Sequence, residues 1–133
     1  MLASVFQLFR CPVCKYGHVE LEEDGSAKMG FASLLMLKCK NRNCKLSERF
    51  YTSSKIGGSQ AFEVNRRIVL ATRNTGIGHQ ALAKFTGVMN MPSPMNENSY
   101  RDHVAAVKNA AETVYKKSME NAVEEVKFFY EPE

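Results

Sequence analysis

The chain has 133 residues, 44% of them apolar, with 18 Lys and Arg against 14 Asp and Glu for a formal net charge of +4. That length allows one domain or two small ones with a modest core, and the mild positive excess permits a nucleic-acid partner without requiring one. No apolar run reaches membrane-span length, and residues 1–9 are too short and lack the basic start of a secretory signal, so an intracellular, reducing compartment is expected.

Residues 5–10 alternate loosely, with Val5, Phe6, Leu8 and Phe9 apolar, and lead into Cys11-Pro12-Val13-Cys14. A second pair, Cys39 and Cys44, encloses four residues rich in Asn. Both spacings are those of short turns that place thiolates around one tetrahedral zinc ion, so Cys11, Cys14, Cys39 and Cys44 are the candidate ligands. Pro12 stiffens the first turn, and Gly17 offers the positive φ that would bring the chain back beneath the metal. Disulfides or simple burial are the alternative uses of four cysteines, and a reducing compartment favours metal. His18 stands near the first turn, but four thiols already complete a site.

Between the pairs, residues 18–22 alternate, Asp24-Gly25 is a strong hairpin signal, and residues 28–38 return to the second pair. Residues 49–53, with Phe50, Tyr51 and Thr52, read as a last strand. Strands interleaved with two ligand turns make residues 1–56 a zinc ribbon, whose small core would need the metal to fold. Residues 57–60 read as a linker, after which the apolar period lengthens to three or four.

Residues 62–73 place Val64, Ile68 and Ala71 on one helical face, and residues 79–89 place Leu82, Phe85 and Met89 on another. Gly76-Ile77-Gly78 lacks the Lys-Ser/Thr of a phosphate loop and reads as the turn between these helices. Pro92 and Pro94 break the second helix, and Asn96 is a suitable N-cap for a third. Running to Phe129, that helix would be about 50 Å long, more than two short helices can cover. It must bend back, pair with another chain, or belong to a larger protein. The expected class is α+β: a small β zinc ribbon followed by a helical region, residues 61–133, ending in a long helix.

Lys38, Lys40, Arg42, Lys45 and Arg49 surround the second cysteine turn, with Glu48 the nearby acid in sequence. They either offset the two net negative charges of a four-thiolate zinc site or contact DNA phosphate, and the two roles are compatible. The three helices outline a helix-turn-helix, with Arg101, His103 and Lys108 on the candidate reading surface and Arg66 and Arg67 as further DNA contacts. His18, His79 and His103 are scattered, and no catalytic constellation is present, so no small-molecule substrate is expected.

Phe62-Glu63-Val64-Asn65-Arg66-Arg67, then Gly78 to Phe85, then Met89-Asn90-Met91-Pro92-Ser93-Pro94-Met95 resemble the amino-terminal region of Mutator-like transposases, with Tyr100 opening the following helix. The resemblance covers roughly residues 11–126. It implies a zinc-ribbon-like segment, DNA as partner, a nuclear setting, and cut-and-paste chemistry by an RNase H-like fold. The metal-binding carboxylates of that fold would follow this region, so no residue here inherits a catalytic role. The chain would act as an amino-terminal module, alone, as a homo-oligomer, or with a separate catalytic domain.

Overall fold

The computed structural model describes residues 9–130. The architecture is α+β: strands β1 (Val19–Met29), β2 (Ala32–Cys39) and β3 (Ser47–Tyr51), then helices α1 (Glu63–Asn74), α2 (His79–Val88) and α3 (Glu97–Tyr130). The sheet is antiparallel in the order β1-β2-β3. Of the anticipated strand over residues 5–10, residues 5–8 lie outside the described residues; Arg10 makes a single antiparallel bridge to His18.

The hairpin turns at Gly30, not at Asp24-Gly25. Met29 pairs with Ala32, and Gly30 alone of the two linking residues has positive φ (66°), the pattern of a type II′ turn. Asp24 does make a local turn, its Oδ1 accepting from the Ser26 N–H at 3.1 Å, but this becomes an irregularity within β1. The reason is long-range. Asn65 of α1 accepts from the Phe31 N–H (2.9 Å) and donates to the Met29 carbonyl (2.8 Å), clamping the tip. A Cβ on Gly30 would stand 2.8 Å from Asn65 Oδ1, so the clamp itself demands glycine.

Asn65 is buried and its bonds to the Phe31 N–H and the Met29 carbonyl are partly buried, so Asn65→Leu would take the partner from both backbone groups, at up to about 1–3 kcal/mol each. Denaturant titration should show a loss of about 2–5 kcal/mol, and Asn65→Asp, which keeps the acceptor, should lose less.

Helix boundaries follow local chemistry. The first amides of α1 are met by the loop after β3, with Glu63 N–H donating to the Ser54 carbonyl and Val64 N–H to Ser53 Oγ. Gly76 (φ 74°) and Asn90 (φ 51°) close α1 and α2 in the left-handed conformation. Ile77 N–H reaches the Thr72 carbonyl, and Met91 N–H that of Thr86, as in paired Schellman caps. Asn96 caps α3 by accepting from the Ser99 N–H at 2.8 Å.

The buried faces differ from those read by apolar spacing. α1 buries Asn65, Val69 and Thr72, and α2 buries Leu82 and Thr86 while Phe85 and Met89 stay exposed. Polar residues win these places because they find partners: Asn65 at the hairpin tip, Thr72 Oγ1 with Tyr100 OH at 3.2 Å. Val69, Leu82, Met95 and Tyr100 form the helical core, with Phe31, Ile68 and Val104 against it. Phe62 is buried on Tyr51, ring centroids 4.6 Å apart, and joins sheet to helices. Beyond Val107 every described residue of α3 is exposed, so the helix projects away from its core.

Candidate metal centre and nucleic-acid interface

Two turns bring the cysteines together at one end of the hairpin, where Val19 pairs with Cys39. In the first, Cys11 N–H donates to the Gly17 carbonyl (2.7 Å) and Lys15 N–H to the Cys11 carbonyl (2.8 Å). In the second, Cys44 N–H donates to the Asn41 carbonyl and Asn43 N–H to Asn41 Oδ1. Lys40 N–H donates to the His18 carbonyl at 3.0 Å and ties the turns together.

Gly17 has a different job from the one its turn position implies. Lys15, not Gly17, takes the positive φ (60°). A Cβ on Gly17 would lie 2.5 Å from Cys39 Sγ and 2.9 Å from Asn41 Cβ, so glycine is required because the second turn packs directly on it.

The four Sγ atoms all lie within 4.8 Å of one another. Cys11 and Cys44 approach to 3.7 Å, Cys14 and Cys39 to 3.6 Å. A tetrahedron with metal–sulfur bonds of about 2.3 Å has sulfur–sulfur edges of about 3.8 Å, so the cluster is compatible with metal binding. These approaches are far outside the roughly 2 Å of a disulfide. Backbone N–H groups of Gly17 and Asn41 point at Cys14 and Cys39 Sγ, both at 3.4 Å, a pattern that stabilises thiolate. Bound metal would be structural, since four thiols leave no open position.

The thiols are unequal. The Gly17 and Tyr16 N–H groups hold Cys14 down at about 6, whereas burial pushes Cys39 up to about 12. At Cys44 the Leu46 N–H acts to lower the value, but burial and the Cys11 and Cys14 thiols outweigh it and the net shift is upward. Metal loading at neutral pH should therefore release protons from Cys39 and Cys44 and little from Cys14. Affinity should fall as pH falls, more steeply below about pH 6, where Cys14 must also give up a proton. Competitive metal titration across that range, with proton release followed calorimetrically, checks the sign.

The basic residues divide into two groups. Around the second turn, Lys40 pairs with Glu20 (3.4 Å) and Lys38 with Glu22 (2.8 Å), so β1 supplies acids that lie far away in sequence. Arg42, Lys45 and Arg49 are exposed and have no ion-pair partner among the described residues. Arg66, Arg67 and Arg101 lie on the helices. Arg67 pairs with Glu63 and Arg101 with Glu97, while half-buried Arg66 contacts His103. His103 is itself buried and withdrawn from any reading surface, and Lys108 pairs with Glu112 at 3.6 Å. His79, without an evident role in sequence, holds the Met95 carbonyl at 2.7 Å.

Fold and site together define an α+β module in which a three-stranded sheet carries a four-cysteine cluster and a helical region ends in a projecting helix. The chain belongs to the Mutator-like transposase family, whose model matches residues 1–130. No curated protein and no solved structure matches it. No helix among the described residues is long and apolar enough to cross a membrane.

Proposed function

We propose that the chain is a zinc-dependent, DNA-associated module of a Mutator-like transposase, acting in the nucleus and leaving the chemistry of transposition to carboxylates outside it. Cys11, Cys14, Cys39 and Cys44 hold one Zn2+; Lys40, Arg42, Lys45 and Arg49 contact phosphate near it, and Arg66, Arg67 and Arg101 contact DNA from the helices. The observation that carries this reading is the four-thiol cluster in a transposase family member, with Arg42 and Lys45, which have no ion-pair partner among the described residues, on the turn that contributes Cys39 and Cys44. Zinc would supply folding free energy and order that turn.

The test is titration of the chain into labelled duplex DNA at two salt concentrations, with and without a chelator. Binding that needs zinc and weakens steeply with salt supports the module. A folded, zinc-loaded chain that binds no duplex removes it.

One observation favours a second reading, a protein-interaction module with the ribbon as stabiliser. Val114, Tyr115, Met119, Val126 and Phe129 of α3 are at least half exposed, and apolar surface of that extent commonly marks an interface. Pairing through α3 would appear as a concentration-dependent mass that Val114→Asp abolishes; a mass that stays monomeric at high concentration rejects it.

A further inference from the structure

A cleft of about 800 Å³ opens between the hairpin tip, the start of α1, the proline loop and the first turns of α3. Its charged lining is Lys28, Arg66 and Asp102, with His103 beside them. Lys28 is engaged with Glu23 at 3.3 Å. Arg66 is half-buried, yet among the described residues no carboxylate lies within ion-pair distance of it. Among the described residues its one polar side-chain contact is from Nε to His103 Nδ1 at 3.5 Å.

That contact has two consequences. Because Arg66 Nε–H donates, His103 Nδ1 must accept, so the imidazole is neutral with its proton on Nε2. Burial and the neighbouring guanidinium hold the His103 pKa below its ordinary value, in agreement. And because Nε is the atom engaged, the two terminal nitrogens of Arg66 are left for a ligand. A guanidinium tethered at one edge presents a planar fork that matches two oxygens of a phosphate, and partial burial strengthens its field.

We propose that this cleft is a phosphate-binding subsite for DNA, in which the terminal nitrogens of Arg66 take a backbone phosphodiester and His103 is the positioning residue that holds the guanidinium. The subsite rests on the DNA reading above. Exposed Asp102 opposes it, but in water its charge is strongly screened. The cleft and the cysteine cluster stand at opposite ends of β2, separated by about 23 Å at 3.3 Å per residue. That is roughly the rise of seven base pairs.

The experiment measures binding of a labelled random-sequence duplex by zinc-loaded chain, with metal content and circular dichroism confirming each variant's fold. Arg66→Lys keeps the charge but not the fork and should bind about tenfold more weakly with an unchanged salt slope. Arg66→Gln should lower the slope by about one. Asp102→Asn should bind more tightly. In the unaltered chain, the Arg66 Nε–H resonance should shift when duplex is added, and the His103 pKa should rise as a phosphate arrives beside the pair; a merely structural contact would move neither. His103→Gln, which can still accept from Nε, should bind better than His103→Leu.

Duplex binding by the unaltered chain, with Arg66→Lys equally tight and the resonance unmoved, overturns the subsite and leaves the DNA reading standing. A folded, zinc-loaded chain that binds no duplex overturns both. A resonance shift with inorganic phosphate at matched ionic strength, but none with duplex, overturns DNA as the source of the phosphate. If Arg66→Lys does not fold, the resonance and the His103 titration of the unaltered chain decide.

Discussion

Cys39→Ser is expected to unfold the three-stranded sheet while leaving much of the helical signal in place. At the cysteine end the sheet has little else to hold it: there Cys11 and Val19 are the buried apolar residues, and the strand pairs nearby are bordered by exposed ion pairs worth less than about 1 kcal/mol each. A structural zinc site contributes about 10–16 kcal/mol of apparent binding free energy at neutral pH, comparable to or larger than the whole stability of a small domain. The helices have their own core in Val69, Leu82, Met95 and Tyr100. Hydrogen exchange should therefore show lost protection over β1–β3 and partial protection over α1 and α2, with native mass spectrometry reporting the lost metal. Chelation of the unaltered chain should reproduce this pattern. Gly17→Ala is an informative companion, because it keeps all four thiols but drives a methyl group to 2.5 Å from Cys39 Sγ; weakened metal affinity is expected. Full zinc content and full sheet protection in Cys39→Ser would sink the ligand assignment.

Neutralising Arg42, Lys45 and Arg49 together to Gln should flatten the salt dependence of DNA binding. Each lost phosphate contact removes about 0.9 from the slope of log affinity against log salt, so three contacts correspond to roughly 2.7. Lys40→Gln should do less than any of these, because Glu20 already engages that ammonium at 3.4 Å. Zinc affinity measured on the same variants separates the two roles of the cations. Weaker DNA binding with unchanged zinc affinity places them on phosphate. An unchanged slope with weaker zinc affinity makes them counter-charges for the thiolates.

The division between what could be read in advance and what could not follows the range of the interactions. Cys11, Cys14, Cys39 and Cys44 were recognisable as a set because each turn is made within six residues, and the spacing of ligands within a turn is a local property. The same holds for Asn96, whose capping bond spans three residues, and for Gly76, whose positive φ ends α1 where the chain calls for a helix–helix turn. Sequence position alone hides the acids that face the basic cluster. Glu20 and Glu22 lie some twenty residues away from Lys40 and Lys38, yet β1 and β2 set them side by side.

By itself the sequence determined the class of this protein: paired-cysteine turns, strand-forming runs, helix stops and starts, and a Met89 to Met95 phrase that resembles the transposase family. These are written in residues close together, where backbone preference and side-chain reach act without help from the rest of the chain. Only the tertiary structure decided where the hairpin turns, which helical faces are buried and why Gly17 is glycine. Asn65 outcompetes the Asp24-Gly25 turn because it satisfies two backbone groups more than thirty residues away. The same packing leaves Arg66 with no carboxylate at ion-pair distance among the described residues and with a histidine at its back, a contact across 37 residues that no local pattern announces.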